Sequence, residues 1–475
     1  RQPENRRRRL HKVLVAVFFA SVFVVIVNRD TSSISATGAP LNISGTTAKD
    51  PPQSNLSINA GAHLQQSRPA STDSIVKVEQ PLSPPQDGGA SQLFGQLVRF
   101  PISDTEIVDA VYALPTEMAP DQWKGVALLL HGCSHSAFKF FSPHPQYCPE
   151  CIGLPEQVRV AKTALQRGYV TLAISSIDQR SGCWHPSRDI PRVQQVLERF
   201  RMMLERTQWN VGFDYGSKFL RHVVAIGASS GGHFAGVLVS KRIISGGALI
   251  MISSLDGASK QRLMVDLNDG AHRGNHGKND VFSPPIYFAP MPMDERTAMS
   301  VQGDIEDFND KLRANNVQRS RLADTEESVS RQGHKIDSPF FMDISSCLPI
   351  QFDAAFLHER VPSLSLSNAE QIISALATGG EIRKVDSDQA TQTSGGAVLD
   401  DTRALYQLAE SPRHSGWWKT LVDGCSKSGC LGNAGTMQTM KPALMEIFQR
   451  VWGFHEYCSE SVSPGLGFIQ EWNGD

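Results

Sequence analysis

Between residues 126 and 292 the chain alternates short continuous apolar runs with longer stretches in which apolar positions recur every three or four residues. The runs are Val126–Leu130 (VALLL), Gly168–Ser176 (GYVTLAISS), His222–Ala228 (HVVAIGA), Gly247–Ser254 (GALIMISS) and Pro285–Pro292 (PIYFAPMP). Each has the length and content of a strand buried on both faces. Between them, Pro155–Arg167 predicts a helix opening on proline. Ile190–Arg206 predicts another, with Val193, Val196, Leu197, Phe200, Met203 and Leu204 on one face. Gly231–Ile244 predicts a third helix, and Val301, Ile305, Phe308 and Leu312 mark a fourth. Strand and helix in alternation predict an α/β fold with a doubly wound, mostly parallel sheet covered on both faces.

The pattern weakens towards the C-terminus. From about residue 318 to 440 it combines polar low-complexity stretches with short amphipathic segments such as Ala369–Thr378. This predicts a last strand near Val317–Leu322, a helical lid or insert, and a C-terminal helix over Pro442–Tyr457. The N-terminal residues differ in kind. Residues 1–12 form a basic tail ending in RRRRLHK, and residues 13–28 carry the apolar run Val13–Val27. Residues 29–92 are rich in Ser, Pro, Gly, Gln and Thr without apolar periodicity, as in a disordered stalk. The apolar run spans about 22 Å at ~1.5 Å per residue, which flanking Lys12 and Arg29 extend by snorkelling. A transmembrane signal anchor is the expectation, with the hydrophobic region of a cleaved signal peptide as the alternative. The basic tail then faces the cytosol, making a single-pass type II protein of the secretory pathway whose residues 93–475 fold in the lumen or outside. The sequons Asn42-Ile43-Ser44 and Asn55-Leu56-Ser57 fall in the stalk, where glycosylation is expected.

Composition adds limits. With 40% hydrophobic and 20% charged residues and a net charge of -2, residues beyond the tail offer no basic surface for nucleic acid. The 8 cysteines all follow residue 130, an even number that fits disulfides in a secretory domain. A zinc site built from Cys148, Cys151, Cys425 and Cys430 is the alternative for the C-x-x-C pair.

The candidate chemistry begins at Gly227-Ala228-Ser229-Ser230-Gly231. This G-x-S-x-G lies after a predicted strand and before a predicted helix, the setting of a nucleophile elbow. Ser229 has glycines at both motif positions, whereas Ser230 would be flanked by Ala228 and Gly232, so Ser229 is the expected nucleophile. The Ser230 N–H then serves as one oxyanion donor. After the first predicted strand comes His131-Gly132-Cys133-Ser134-His135-Ser136. There Gly132 permits close approach of the backbone, and the Cys133 or Ser134 N–H supplies the second donor. A bridge from Cys133 to Cys148, Cys151 or Cys183 would brace that loop, and Cys458 would tether the C-terminal segment.

These motifs resemble the α/β-hydrolase superfamily over most of residues 93–457. HGCSHS, CPECIGLPEQV, SGCW and MPMDERTA further resemble a group of eukaryotic α/β-hydrolase-like proteins. The resemblance implies a chain order Ser, acid, His. Asp294, just past PIYFAPMP, is the expected acid, with Asp256 one strand earlier as runner-up. For the base the resemblance points to His455, in a segment where that group carries a His-Glu pair. His334, after the predicted last strand, and His414 and His358 stay open. The implied activity is a serine hydrolase of carboxylesterase type, acting on a small-molecule or lipid ester without metal or cofactor. A peptidase or thioesterase on the same fold, or a non-catalytic binding protein, are the alternatives.

Overall fold

The computed structural model describes residues 92–206, 222–272, 284–291, 293–323, 338–343, 347, 352–361, 363–385, 405–409, 411–412, 416–428, 434–452 and 456–474. The expected anchor, stalk and sequons lie outside these. Among the described residues no helix is long and apolar enough to cross a membrane.

Eight strands form one sheet. They are β1 (Gln96–Pro101), β2 (Ile107–Ala113), β3 (Gly125–Leu130), β4 (Tyr169–Ile174), β5 (Val223–Ala228), β6 (Gly247–Met251), β7 (Ile286–Ala289) and β8 (Phe340–Met342). Their order is β1-β2-β4-β3-β5-β6-β7-β8. The β1 and β2 strands pair antiparallel, as do β2 and β4, while every pairing from β4 through β3 to β8 is parallel. This mostly parallel, helix-covered sheet fits the α/β-hydrolase fold. The predicted runs become its central strands because residues of VALLL, VVAIGA and GALIM are buried without alternation, as a sheet covered on both faces requires.

One face carries α1 (Pro155–Gln166) and the final helix, α10 (Val462–Asn473). Val160, Ala161 and Ala164 share that core with Leu466 and Ile469. Gly465 lets α10 lie flat on the sheet, since a Cβ there would fall 2.5 Å from Leu249 Cδ1. The other face carries α2 (Pro186–Arg206), α3 (Ser230–Ser240), α4 (Gly257–His272) and α5 (Glu295–Ala323), which pack through Phe200, Phe234, Leu263 and Phe308.

Two expectations are corrected here. Val317–Leu322 is not the last strand. It continues α5, whose Val301, Ile305 and Phe308 already set the helical repeat, and the last strand is the three-residue β8. The C-terminal helix starts earlier than Pro442: α9 (Ala434–Trp452) runs through that proline.

Between β8 and α10 lies a satellite with its own apolar core, from Phe352 to Val451. It comprises α6 (Ala354–Arg360), α7 (Leu366–Thr378), α8 (Trp417–Ser428), α9 and the strand pair β9 (Ile382–Lys384) and β10 (Tyr406–Leu408). Trp417 is buried there, at ring contact with Phe448, so the Trp pair belongs to packing. Buried ion pairs join the satellite to the sheet domain. Arg360 of α6 binds Glu156 of α1 and Glu460, and Arg450 of α9 binds Glu460 at 3.0 Å.

Candidate active site

Ser229 sits between β5 and α3 with φ 54 and ψ -122, a conformation that an L-residue holds only when its surroundings impose it. What imposes it is the crowding of the turn. A Cβ on Gly227 would lie 2.4 Å from Gly231 O, and one on Gly231 would lie 2.1 Å from Leu130 O and 2.5 Å from His131 O. Both motif glycines are therefore steric requirements. The Ser229 N–H donates to Met251 O of β6 (3.0 Å), and His233 N–H donates to Ser229 O (2.9 Å), which fixes the turn from both sides.

The strained turn presents Ser229 to a cavity of about 460 Å³. Gly132, Cys133, Ala228, Ile252 and Tyr457 also line it. Ser230 does not. Its side-chain oxygen is buried and has no hydrogen-bond partner among the described residues. As the first residue of α3, Ser230 has an N–H with no carbonyl four residues back within the helix to meet it.

The loop after β3 completes this corner. Gly132 lies against the elbow, where a Cβ would be 3.7 Å from Ser229 Cβ. Ser134 is excluded as an oxyanion donor because its N–H is spent on Ser181 O (2.6 Å). No acceptor among the described residues meets the Cys133 N–H. The disulfide Cys133–Cys183 holds the loop to the segment before α2, one of the bridges the sequence allowed. His131 is a structural residue. Ser176 N–H donates to its Nε2 (3.0 Å), so the proton sits on Nδ1, which donates to Gly132 O (2.8 Å). Trp184 Nε1–H donates to His131 O (2.8 Å). Complete burial pushes the imidazole down to about 4, so it stays neutral.

Tyr457 ties the same corner to the C-terminal chain. Its buried hydroxyl donates to Leu130 O at the end of β3 (2.9 Å), and the Gly132 and Ala228 N–H groups face its oxygen. The next residue, Cys458, is bridged to Cys347 beyond β8, which realises the expected tether. Cys148 and Cys151 are bonded to each other, which removes the zinc reading of that pair.

Asp294 lies just past β7 and at the start of α5. It accepts from Thr297 Oγ1 (3.0 Å) and Thr297 N–H (3.4 Å), so it caps the helix. Asp256 caps α4 through Ser259 N–H (2.5 Å) and faces His233 Nε2 at 3.6 Å. Among the base candidates, His455, His334 and His414 lie outside the described residues. His358 is engaged within the satellite, its Nδ1 2.6 Å from Leu364 O. Glu456 and Tyr457, the two residues after His455 in the sequence, line the cavity with Ser229.

The far wall was not legible in the sequence. It comes from Lys139, just after the oxyanion loop, and from Pro442, Met445, Glu446 and Gln449 of α9. Glu446 reaches back to the sheet domain and accepts from the Glu156 N–H (2.9 Å), across 290 residues of chain. Its full burial, and then the carboxylates of Glu456 and Glu156, push its carboxyl well above the usual range. Burial likewise lowers Lys139.

No family model matches the chain, and no curated protein is similar to it. Among solved structures it is similar to an esterase of Pyrococcus furiosus, at 14% identity and TM-score 0.25 over 42% of this chain and 70% of that one. It is similar to esterase 2 of Thermogutta terrifontis at 12% identity and TM-score 0.26, over 44% and 79% of the two chains. An acylaminoacyl peptidase of Pyrococcus horikoshii is similar at 13% identity and TM-score 0.28, over 54% of this chain and 37% of that one.

Proposed function

We propose that the protein is a serine hydrolase that cleaves a small ester through an acyl-enzyme on Ser229. The observation that carries this is the strained Ser229 turn opening onto a cavity beside the Cys133 and Ser230 amides, neither of which meets a backbone acceptor among the described residues. A residue held at that cost in a bare strand-to-helix connection would have no reason to be a serine rather than a glycine.

The base is His455, supported by its place directly before Glu456 and Tyr457 of the cavity wall. Asp294 is the acid that orients it, supported by its position after β7. His455 takes the Ser229 Oγ proton as the oxygen attacks the carbonyl carbon, and the oxyanion forms against the Cys133 and Ser230 N–H groups. The imidazolium then protonates the departing alkoxide, and water repeats the sequence to release the acid. The disulfides Cys133–Cys183, Cys148–Cys151 and Cys347–Cys458 among the described residues support an oxidising compartment, in keeping with a luminal domain behind an N-terminal anchor. The test is pre-steady-state hydrolysis of p-nitrophenyl acetate. A burst of one p-nitrophenol per protein is expected, abolished in Ser229→Ala and retained in Ser230→Ala. Loss of turnover in His455→Ala with activity retained in His334→Ala and His414→Ala assigns the base. Undiminished turnover in Ser229→Ala overturns the proposal.

A further inference from the structure

Two residues past Cys133, the loop after β3 brings the second histidine of HGCSHS, His135, to the wall of the cavity that holds Ser229. Its backbone is held on both sides. The His135 N–H donates to Gly132 O (3.3 Å), closing a turn in which Ser134 takes a φ of 64 and which the Cys133–Cys183 disulfide pins. Two residues further on, Ala137 N–H donates to Ser175 Oγ (3.1 Å). The ring is held from behind by Gln157 of α1, which is fully buried. Gln157 Nε2 donates to His135 Nδ1 (2.5 Å) and to Glu446 Oε1 (3.4 Å), while its own Oε1 has no partner among the described residues. An amide nitrogen has only protons to give, so His135 Nδ1 accepts and the proton of the imidazole is on Nε2. Burial, and after it Lys139, push the ring down to about 3, so it stays neutral. Nothing among the described residues accepts from that Nε2–H.

We infer that the His135 Nε2–H is a substrate-binding donor, and that the ester this cavity takes carries an acceptor oxygen beyond its scissile carbonyl: an ether, keto or hydroxyl oxygen. This rests on the hydrolase reading of Ser229. In that reading the scissile carbonyl oxygen is met by the Cys133 and Ser230 amides, so His135 reaches a different oxygen of the substrate.

The contrast with His131 on the same loop supports that role. Both ring nitrogens of His131 are engaged, Nδ1 with Gly132 O and Nε2 with Ser176 N–H, as in a histidine that serves the fold. His135 has one nitrogen engaged and turns the other side of its ring to the cavity. Gln157 bears on the same point. A buried amide with its oxygen unpartnered is destabilising, and an apolar side chain of the same size would fill the space without that cost. Both bonds that the amide does make go to groups of the cavity wall, His135 and Glu446. The fixed tautomer then selects by chemistry. An alkyl chain displaces water from the Nε2–H and returns no acceptor, and an ammonium has only protons to give. Ether, keto and hydroxyl oxygens accept.

The test compares esters of equal shape on the full chain, with labelling by a fluorophosphonate measured in parallel. On the acyl side p-nitrophenyl methoxyacetate is set against p-nitrophenyl butyrate, and on the alcohol side 2-methoxyethyl acetate against butyl acetate. Each kcat/KM is divided by the ester's rate constant with hydroxide, which removes the inductive effect of the added oxygen. In at least one pair the oxygen-bearing ester is expected to be preferred by at least about tenfold, and the pair that shows it tells which part of the ester meets His135. His135→Phe and Gln157→Met abolish that preference, and His135→Gln, whose amide still donates, keeps part of it. A merely structural role would lower both members of a pair alike. Histidine 15N spectra read the tautomer without turnover. The signals missing from His135→Phe are expected to show Nε2 protonated and Nδ1 bare in the native protein, and a mixture of tautomers in Gln157→Met. If Ser229 is labelled but neither pair shows the preference, or it survives in His135→Phe, or the proton is on Nδ1, this inference falls while the hydrolase reading stands. If Ser229 is not labelled, the hydrolase reading falls and takes this inference with it.

Discussion

Replacing Tyr457 by Phe removes one oxygen from the point where three parts of the site meet. That hydroxyl donates to Leu130 O at 2.9 Å, faces the Gly132 and Ala228 N–H groups, and belongs to the loop that follows His455. The ring stays, with its edge contact to Phe140 at 5.7 Å, so the packing volume barely changes. The loss is one buried hydrogen bond plus the desolvation of partners left behind, about 1–3 kcal/mol of stability. Chemical denaturation should show that decrease as a lower midpoint at unchanged slope. Because the hydroxyl holds the oxyanion loop to the nucleophile strand rather than touching substrate, kcat for p-nitrophenyl acetate should fall about tenfold, or ~1.4 kcal/mol, with KM almost unchanged. A variant with native stability and native kcat refutes the reasoning. So does one whose KM alone rises, since that would place Tyr457 in substrate binding.

Three further outcomes are expected. Ser229→Gly and Ser229→Ala should both be inactive, but the glycine variant should be the more stable by about 1–2 kcal/mol in denaturant unfolding, because only glycine relaxes a φ of 54; equal stability would mean that the elbow stores no strain. Gly231→Ala, whose Cβ would sit 2.1 Å from Leu130 O, should lose at least about 3 kcal/mol or fail to fold, as judged by circular dichroism and expression. His131 is held at about 4 when folded and rises to its ordinary 6.5 on unfolding, so the unfolded chain binds more protons between those values. Its contribution is complete above pH 6.5 and is lost as pH falls towards 4. That amounts to about 3 kcal/mol, which unfolding curves of His131→Gln over the same range should lack.

The legible parts of the molecule are those written locally. Five apolar runs identify five of the eight strands, because a strand buried on both faces needs continuous Val, Ile, Leu and Ala, and helices between them betray themselves by spacing. The elbow is legible for the same reason, since its glycines answer to atoms only a few residues away, Gly227 against Gly231. β8 ends after three residues, before any period is established, so FFM was passed over for Val317–Leu322, which α5 absorbs. The far wall of the cavity fails for a different reason. Glu446 meets Glu156 across 290 residues, and no local pattern distinguishes a glutamate that will be buried there from one on a solvated helix face. Asp294 is read in the sequence as an acid after β7, and the structure shows it capping α5 through Thr297. The histidine is the part that local sequence supports least, because the satellite between β8 and α10 separates the last strand from the loop before the final helix.

The most direct test is to map the adduct of a fluorophosphonate on the native protein by digestion and tandem mass spectrometry. Modification of Ser229 alone is the predicted result. An adduct on Ser230, or no adduct on a folded protein, would contradict the assignment of Ser229 as an activated nucleophile.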